Sequence, residues 1–193
     1  MLTRRAFLAA AGVAPFARAT LRPSAQYDLV VKGGRILDPG RRLDRKADIA
    51  INGDSIVAIQ PDIDNSHARD VIDARGKLVT PGLIDLHVHV GAPDLTPAAL
   101  LRDGVTAMVD GGSAGADNID ALVKVAQTAP NRVRIFLNIA RTGVTTPGEL
   151  LDIAAADVAA ARAAIARHRD WIAGVKVRLS QSVAGDRDLE ITA

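Results

Sequence analysis

The chain has 193 residues, 48% hydrophobic and 24% charged, with 16 Gly, 9 Pro and no Cys. That composition belongs to a globular protein of one or two domains and excludes collagen-like, disordered and disulfide-stapled classes. The lack of Cys also excludes thiolate nucleophiles and Cys-ligated zinc. Aromatic residues, at 3%, are too few for the stacking platforms of single-stranded nucleic-acid binders, and no apolar run approaches the ~20 residues of a membrane span.

The formal charge of +2 and the pI of about 9.3 come largely from the first nineteen residues. Thr3-Arg4-Arg5-Ala6-Phe7-Leu8 leads into an apolar run to Phe16 and then Ala17-Arg18-Ala19, a basic n-region, a modest h-region and an A-x-A cleavage site. The paired arginines followed by Phe-Leu resemble a twin-arginine signal, which implies export to a periplasm. Cleavage after Ala19 removes Arg4, Arg5 and Arg18 and no acidic residue. It leaves 21 basic against 22 acidic groups, a net charge of −1. Neither a nucleic-acid partner nor, after cleavage, a membrane partner is expected.

Residues 20–80 read as short strands separated by turn residues. Strands are predicted at Asp28 to Val31 and Arg35 to Leu37 around a Gly33-Gly34 turn, then at Ala47 to Ile51 and Ser55 to Ile59. Asn52-Gly53-Asp54 between the latter two is a strong hairpin signal, because Asn-Gly accepts positive φ easily. Val71-Ile72 and Lys77 to Val79 complete a small all-β unit.

From Pro81 the pattern changes to strands alternating with helices, the mark of a parallel α/β sheet. The predicted strands are Leu83 to Val90, Val105 to Asp110, Val133 to Asn138 and Gly174 to Leu179. Helices are predicted at Pro97 to Arg102, Asn118 to Ala129 and, in one long piece, about Glu149 to Trp171.

The most informative segment is Pro81-Gly82-Leu83-Ile84-Asp85-Leu86-His87-Val88-His89-Val90. As a strand, its period of two puts Ile84, Leu86, Val88 and Val90 on one face and Asp85, His87 and His89 on the other. An apolar face against helices and a polar face near the strand's C-terminal end suit a barrel wall. Two imidazoles at i, i+2 can converge on one ion. His67 and His168 stand alone and read as ordinary surface or core residues.

This segment, with the β unit before it, resembles the amidohydrolase superfamily, whose local signature is Gly-hydrophobic-hydrophobic-Asp-x-His-x-His. Asp28 to Gly34, Asp48 to Asp54 and Ile72 to Gly82 resemble the β-sandwich portion that precedes the barrel in dihydroorotases, hydantoinases and D-aminoacylases. Asp110-Gly111-Gly112-Ser113-Ala114-Gly115 resembles the second-strand loop of the amidohydrolase/deacetylase branch, and Gly174-Val175-Lys176-Val177-Arg178 its fourth strand. The resemblance implies an α/β fold: a β-sandwich segment at 20–80, then at 81–193 the first four βα units of a (β/α)8 metal-dependent hydrolase barrel.

It further implies two Zn2+ per complete site, with His87 and His89 on one ion and Lys176, carboxylated, bridging to the second. The residue types fit: neutral imidazole is a good zinc ligand, and an uncharged lysine amine can add carbon dioxide to become an anionic oxygen donor. The implied chemistry is hydrolysis of an amide or ester bond in a small acylated substrate: deacylation of an N-acyl amino acid or acylated hydroxy acid, or cyclic-amide opening. Asp110, Asn138 and Arg178, at or near strand ends, could meet substrate, and Asp110 and Arg178 are the candidate substrate contacts.

A barrel of about 250 residues uses roughly 31 per unit, and the 113 residues from Pro81 amount to between three and four units. The catalytic Asp and the later His ligands implied by the resemblance are expected beyond residue 193, so the 193-residue chain is expected to be inactive alone. Its open half-barrel is expected to self-associate or meet a complementary half. The alternatives are a non-catalytic remnant acting as a binding or assembly module, and half of a split enzyme.

Overall fold

A computed structural model describes residues 25–90, 94–145, 148–187 and 190. The predicted signal segment lies outside these residues. The chain divides into two units, Met1–Thr80 and Pro81–Ala193. Among the described residues no helix is long and apolar enough to cross a membrane.

The first unit is a five-stranded sheet built on β1, Tyr27–Asp38. It pairs antiparallel with β2, Leu43–Asn52, and parallel with both β4, Ala68–Asp73, and β5, Leu78–Val79; β3, Ser55–Gln60, closes a hairpin on β2. The hairpin turns at Gly53, whose φ of 56° supplies the backbone its position requires.

Gly33-Gly34 is not a turn. β1 runs straight through it as one twelve-residue strand, and the register against β2 slips by one between Val31 and Gly34, so that Lys32 and Gly33 together oppose Asp48. This is a β-bulge, with Gly33 at φ 71°, and it swaps the faces of β1. Before it Val30 packs with Ala50 and Ile63; after it Ile36 packs with Ala47 and Ile49. The Asp48 carboxylate grips the bulge, accepting from Gly33 N (2.7 Å) and from Lys32 Nζ (2.7 Å).

The second unit is a four-stranded sheet of β6 (Leu83–Val88), β7 (Val105–Asp110), β8 (Arg132–Asn138) and β9 (Ile172–Lys176), all parallel and in sequential order. Sequential order without a reversal is consistent with part of a barrel wall and differs from the order of a doubly wound sheet. The helices are α1 (Pro97–Arg102), α2 (Ile119–Thr128), α3 (Val158–Arg167) and the short α4 (Gln181–Ala184). Helix α2 buries Ile119, Leu122, Val123 and Ala126, a stripe at helical spacing, against Val88, Met108, Val133, Ile135 and Leu137 of the sheet.

Two expectations change here. The long helix from Glu149 is instead a 3-10 turn at Ile153–Ala155 followed by α3. The break lies with two aspartates: Asp152 accepts from Ala154 N and Asp157 from Ala160 N, each offering the backbone a cap where a continuous helix would bury its own donors. The apolar face of β6 is also only half covered. Val88 and Val90 are buried, but Ile84 and Leu86 are 64% and 68% exposed, because β6 is an edge strand of the sheet.

Candidate metal centre

His87 and Lys176 come from β6 and β9, the two edges of the second sheet, yet His87 Nε2 and Lys176 Nζ lie 3.3 Å apart. Neighbouring strands are separated by about 4.8 Å, so these edges are some three spacings apart along the sheet. On a flat sheet side chains stand roughly perpendicular and parallel to one another. The contact therefore requires the sheet to curl concave towards these two side chains, as a barrel wall does.

Two glycines make room inside the curve. After β7 the chain passes Gly111 and Gly112, both buried. A Cβ on Gly111 would overlap the His87 ring, and one on Gly112 would lie 2.6 Å from Lys176 Cγ. Gly112 also has φ 91°, a left-handed backbone that side chains rarely adopt. The pair thus holds the His87 ring and the Lys176 stem against bare backbone.

The His87 and His89 rings are 5.5 Å apart, edge to face. The amide of His87 falls where the β6–β7 register is irregular, between Asp85 and Val88, and Asp85 Oδ1 accepts from it at 2.9 Å. Asp85 is in this way a local backbone partner. His89 Nδ1 is 2.8 Å from Ser113 Oγ.

Behind the glycines lies a buried polar network. Asn138, fully buried, donates from Nδ2 to Gly112 O (3.1 Å) and to Glu149 Oε1 (3.4 Å), and its Oδ1 accepts from Ala140 N (3.0 Å). Glu149 is paired in turn with Arg178, which donates from Nε to Oε1 at 3.0 Å. Burial raises the Glu149 pKa, but the hydrogen bonds from Arg178, from its own backbone amide and from Asn138 together outweigh it and hold the carboxyl below its ordinary value.

Of the residues predicted for the site, His87, His89 and Lys176 are brought together. Arg178 is turned to Glu149 rather than left open for substrate. Asp110 is fully buried, and its oxygens accept from Val90 N, Gly112 N, Ser113 N and Ser113 Oγ, so as placed it meets the chain and not a ligand. Among the described residues no group of three or more His, Cys, Asp or Glu converges as a metal site.

The donor set nevertheless fits a metal through its chemistry. Two imidazoles stand beside a lysine amine that would become an oxygen donor as a carbamate. His87 presents Nε2 towards that amine, and His89 is held through the opposite nitrogen. Sequence reasoning placed Asn138 at a strand end near the site but missed Ser113 and Glu149 as parts of this arrangement. A Gly-Gly-Ser run directly after a strand ending in Asp was the available signal. His168, at the end of α3, bonds Asp120 of α2 and lies outside the site.

No protein-family model matches the chain. It is 33% identical over 184 residues to adenine deaminase 2 of Rhizobium etli, covering 91% of this chain and 30% of that protein. It is 30% identical over 168 residues to a deacetylase of Enterococcus faecalis, covering 84% and 44%. A dihydroorotase of Streptococcus thermophilus is 38% identical over 102 residues, 53% of this chain and 22% of that one. In fold, the crystal structure of an adenine deaminase superimposes with a TM-score of 0.73 at 31% identity, over 86% of this chain and 46% of the other. A dihydroorotase structure gives 0.69 at 28%, over 83% and 45%. The chain thus spans less than half the length of each of these relatives. By sequence and by fold together, the chain is similar over most of its own length to adenine deaminases, a deacetylase and a dihydroorotase.

Proposed function

We propose that this chain carries the first part of a zinc-dependent hydrolase of amide or ester bonds, with His87, His89 and carboxylated Lys176 as metal ligands. The observation that supports it most strongly is the 3.3 Å approach of Lys176 Nζ to His87 Nε2 from opposite sheet edges. A surface lysine has no reason to cross a concave sheet towards an imidazole. A lysine whose carbamate shares an ion with that imidazole does.

When bound, zinc would polarise the scissile carbonyl and lower the pKa of a coordinated water. The chain's own residues do the rest of what is described. His87 and His89 present ring nitrogens, Gly111 and Gly112 hold the His87 ring and the Lys176 stem in the curve, and the Asn138–Glu149–Arg178 network fixes the loop carbonyl beneath them.

The substrate class is an acylated amino or hydroxy acid. The Asp110 to Gly115 loop supports this, as does the similarity to the Enterococcus faecalis deacetylase. On this reading the 193-residue chain, whose described residues bring no group of three or more His, Cys, Asp or Glu together as a metal site, is inactive alone. Leu83, Ile84 and Leu86, each more than half exposed on the edge strand, favour a complementary half-barrel or a second copy as the partner. The paired arginines support twin-arginine export to a periplasm, with residues 1–19 removed.

The test is zinc uptake followed by hydrolysis of N-acyl amino acids and acyl esters by the purified chain with zinc and bicarbonate supplied. Zinc retained without turnover supports the reading. Turnover abolished in Lys176→Ala would establish the hydrolase and refute the inactivity, and absence of zinc uptake would refute the zinc-dependent reading.

A further inference from the structure

We infer that Ser113, anchored by the buried Asp110, is a positioning residue that sets the ring tautomer of His89 and leaves its Nε2 lone pair free for a divalent metal ion. The inference rests on His89 being a ligand, but the tautomer itself can be read without any metal.

Asp110 is 0% exposed, and each of its oxygens takes two donors. Oδ1 accepts from Gly112 N (2.9 Å) and Ser113 N (2.7 Å). Oδ2 accepts from Val90 N (2.8 Å) and from the Ser113 hydroxyl (2.7 Å). A hydroxyl carries a single proton. Directed to Asp110, it leaves only lone pairs on Ser113 Oγ, and these face His89 Nδ1 at 2.8 Å. Two lone pairs at that distance would repel, so the contact closes only when the imidazole proton sits on Nδ1. A neutral ring has one such proton, and Nε2 is then the bare acceptor nitrogen, the one that can bind a metal.

The same carboxylate controls position as well as protonation. Val90 directly follows His89, so the bond from Val90 N ties the end of the histidine strand to Asp110, while Ser113 ties the ring to the same group across 24 residues of sequence. Ring and backbone of His89 are thus held from one buried anchor. Ligating histidines commonly donate their second nitrogen to a carboxylate or carbonyl. Here a serine hydroxyl stands between, and it reaches His89 because Gly112, at φ 91°, turns the loop back over the sheet.

The experiment is long-range 1H–15N correlation of the histidine rings in the full, metal-free chain at about pH 8, above the ordinary His range. The expected wild-type result is the Nδ1–H form at His89. In Ser113→Ala the preference is lost at His89 and unchanged at His87, which faces Lys176 instead. Ser113→Thr, which keeps the hydroxyl, restores it. Zinc titration of the same samples should show Ser113→Ala weaker by about 10- to 100-fold. An Nε2–H ring at His89 in the wild type overturns the inference with no variant needed, as does a folded Ser113→Ala with an unchanged tautomer. The predicted tautomer in a chain that takes up no zinc would uphold the role of Ser113 and refute the metal reading separately.

Discussion

Each unit holds a buried aspartate, and the two are used differently. Asp48 in the first unit is 2% exposed and Asp110 in the second 0%, and both accept backbone amides from a loop or bulge. Asp48 is closed off by a cation: Lys32 Nζ bonds it and also Asp62 and Ile63 O. Among the described residues no cation meets Asp110; its fourth donor is a hydroxyl whose far side faces an exposed imidazole. A buried carboxylate neutralised by lysine staples a fold. One satisfied by amides and a hydroxyl passes its orientation outward to a side chain with a free nitrogen.

The largest effect separating the two should come from Asp48→Ala. It strips Lys32 of one partner and leaves the Gly33 and Ile63 amides without acceptors, at an expected cost of about 3 kcal/mol in chemical denaturation. The His89 tautomer should not move. A cost below about 1 kcal/mol would deny Asp48 its role as anchor. Asp110→Asn should cost somewhat less, about 2 kcal/mol, since one amide group replaces an acceptor that met two donors. Unlike Asp48→Ala, it should also scramble the His89 ring. Equal silence of both variants at His89 would erase the distinction between the two aspartates.

Acid titration sharpens the first half of the comparison. Burial raises the Asp48 pKa, but the hydrogen bonds from Lys32, Ile63 and Gly33 more than offset it and leave the carboxyl below its ordinary 3.8. A depressed carboxylate contributes stability that is fully present above the unfolded value and lost as pH falls through the folded one. Asp73 behaves alike, drawn down to about 2 chiefly by the Arg75 side chain. Stability should therefore decline as pH falls from about 4 towards 2, and Asp48→Ala should flatten that slope. The smallest effect belongs to Arg35→Ala. Its pair with Asp44 is more than half exposed on both sides, and such pairs contribute at most about 1 kcal/mol.

Much of this was legible in the chain itself. Asn52-Gly53 marked its hairpin because a two-residue turn needs positive φ. The alternation in Asp85-Leu86-His87-Val88-His89 separated the imidazoles from the apolar face because a strand has period two. Gly33-Gly34 misled: the same backbone freedom serves a turn or a bulge, and Asp48, fifteen residues away, decides which. Glu149 was hidden for a related reason. Its local sequence favours helix, while its role depends on Arg178 twenty-nine residues on. Contacts at that separation leave no periodicity to read.

That His87, His89 and Lys176 act as one metal-binding group is tested most directly by equilibrium dialysis of the 193-residue chain against zinc with bicarbonate present. The prediction is bound zinc that is lost in His87→Ala and equally in Lys176→Met, with the fold intact by circular dichroism. Zinc bound undiminished by both variants, or by none of the three proteins, would contradict it.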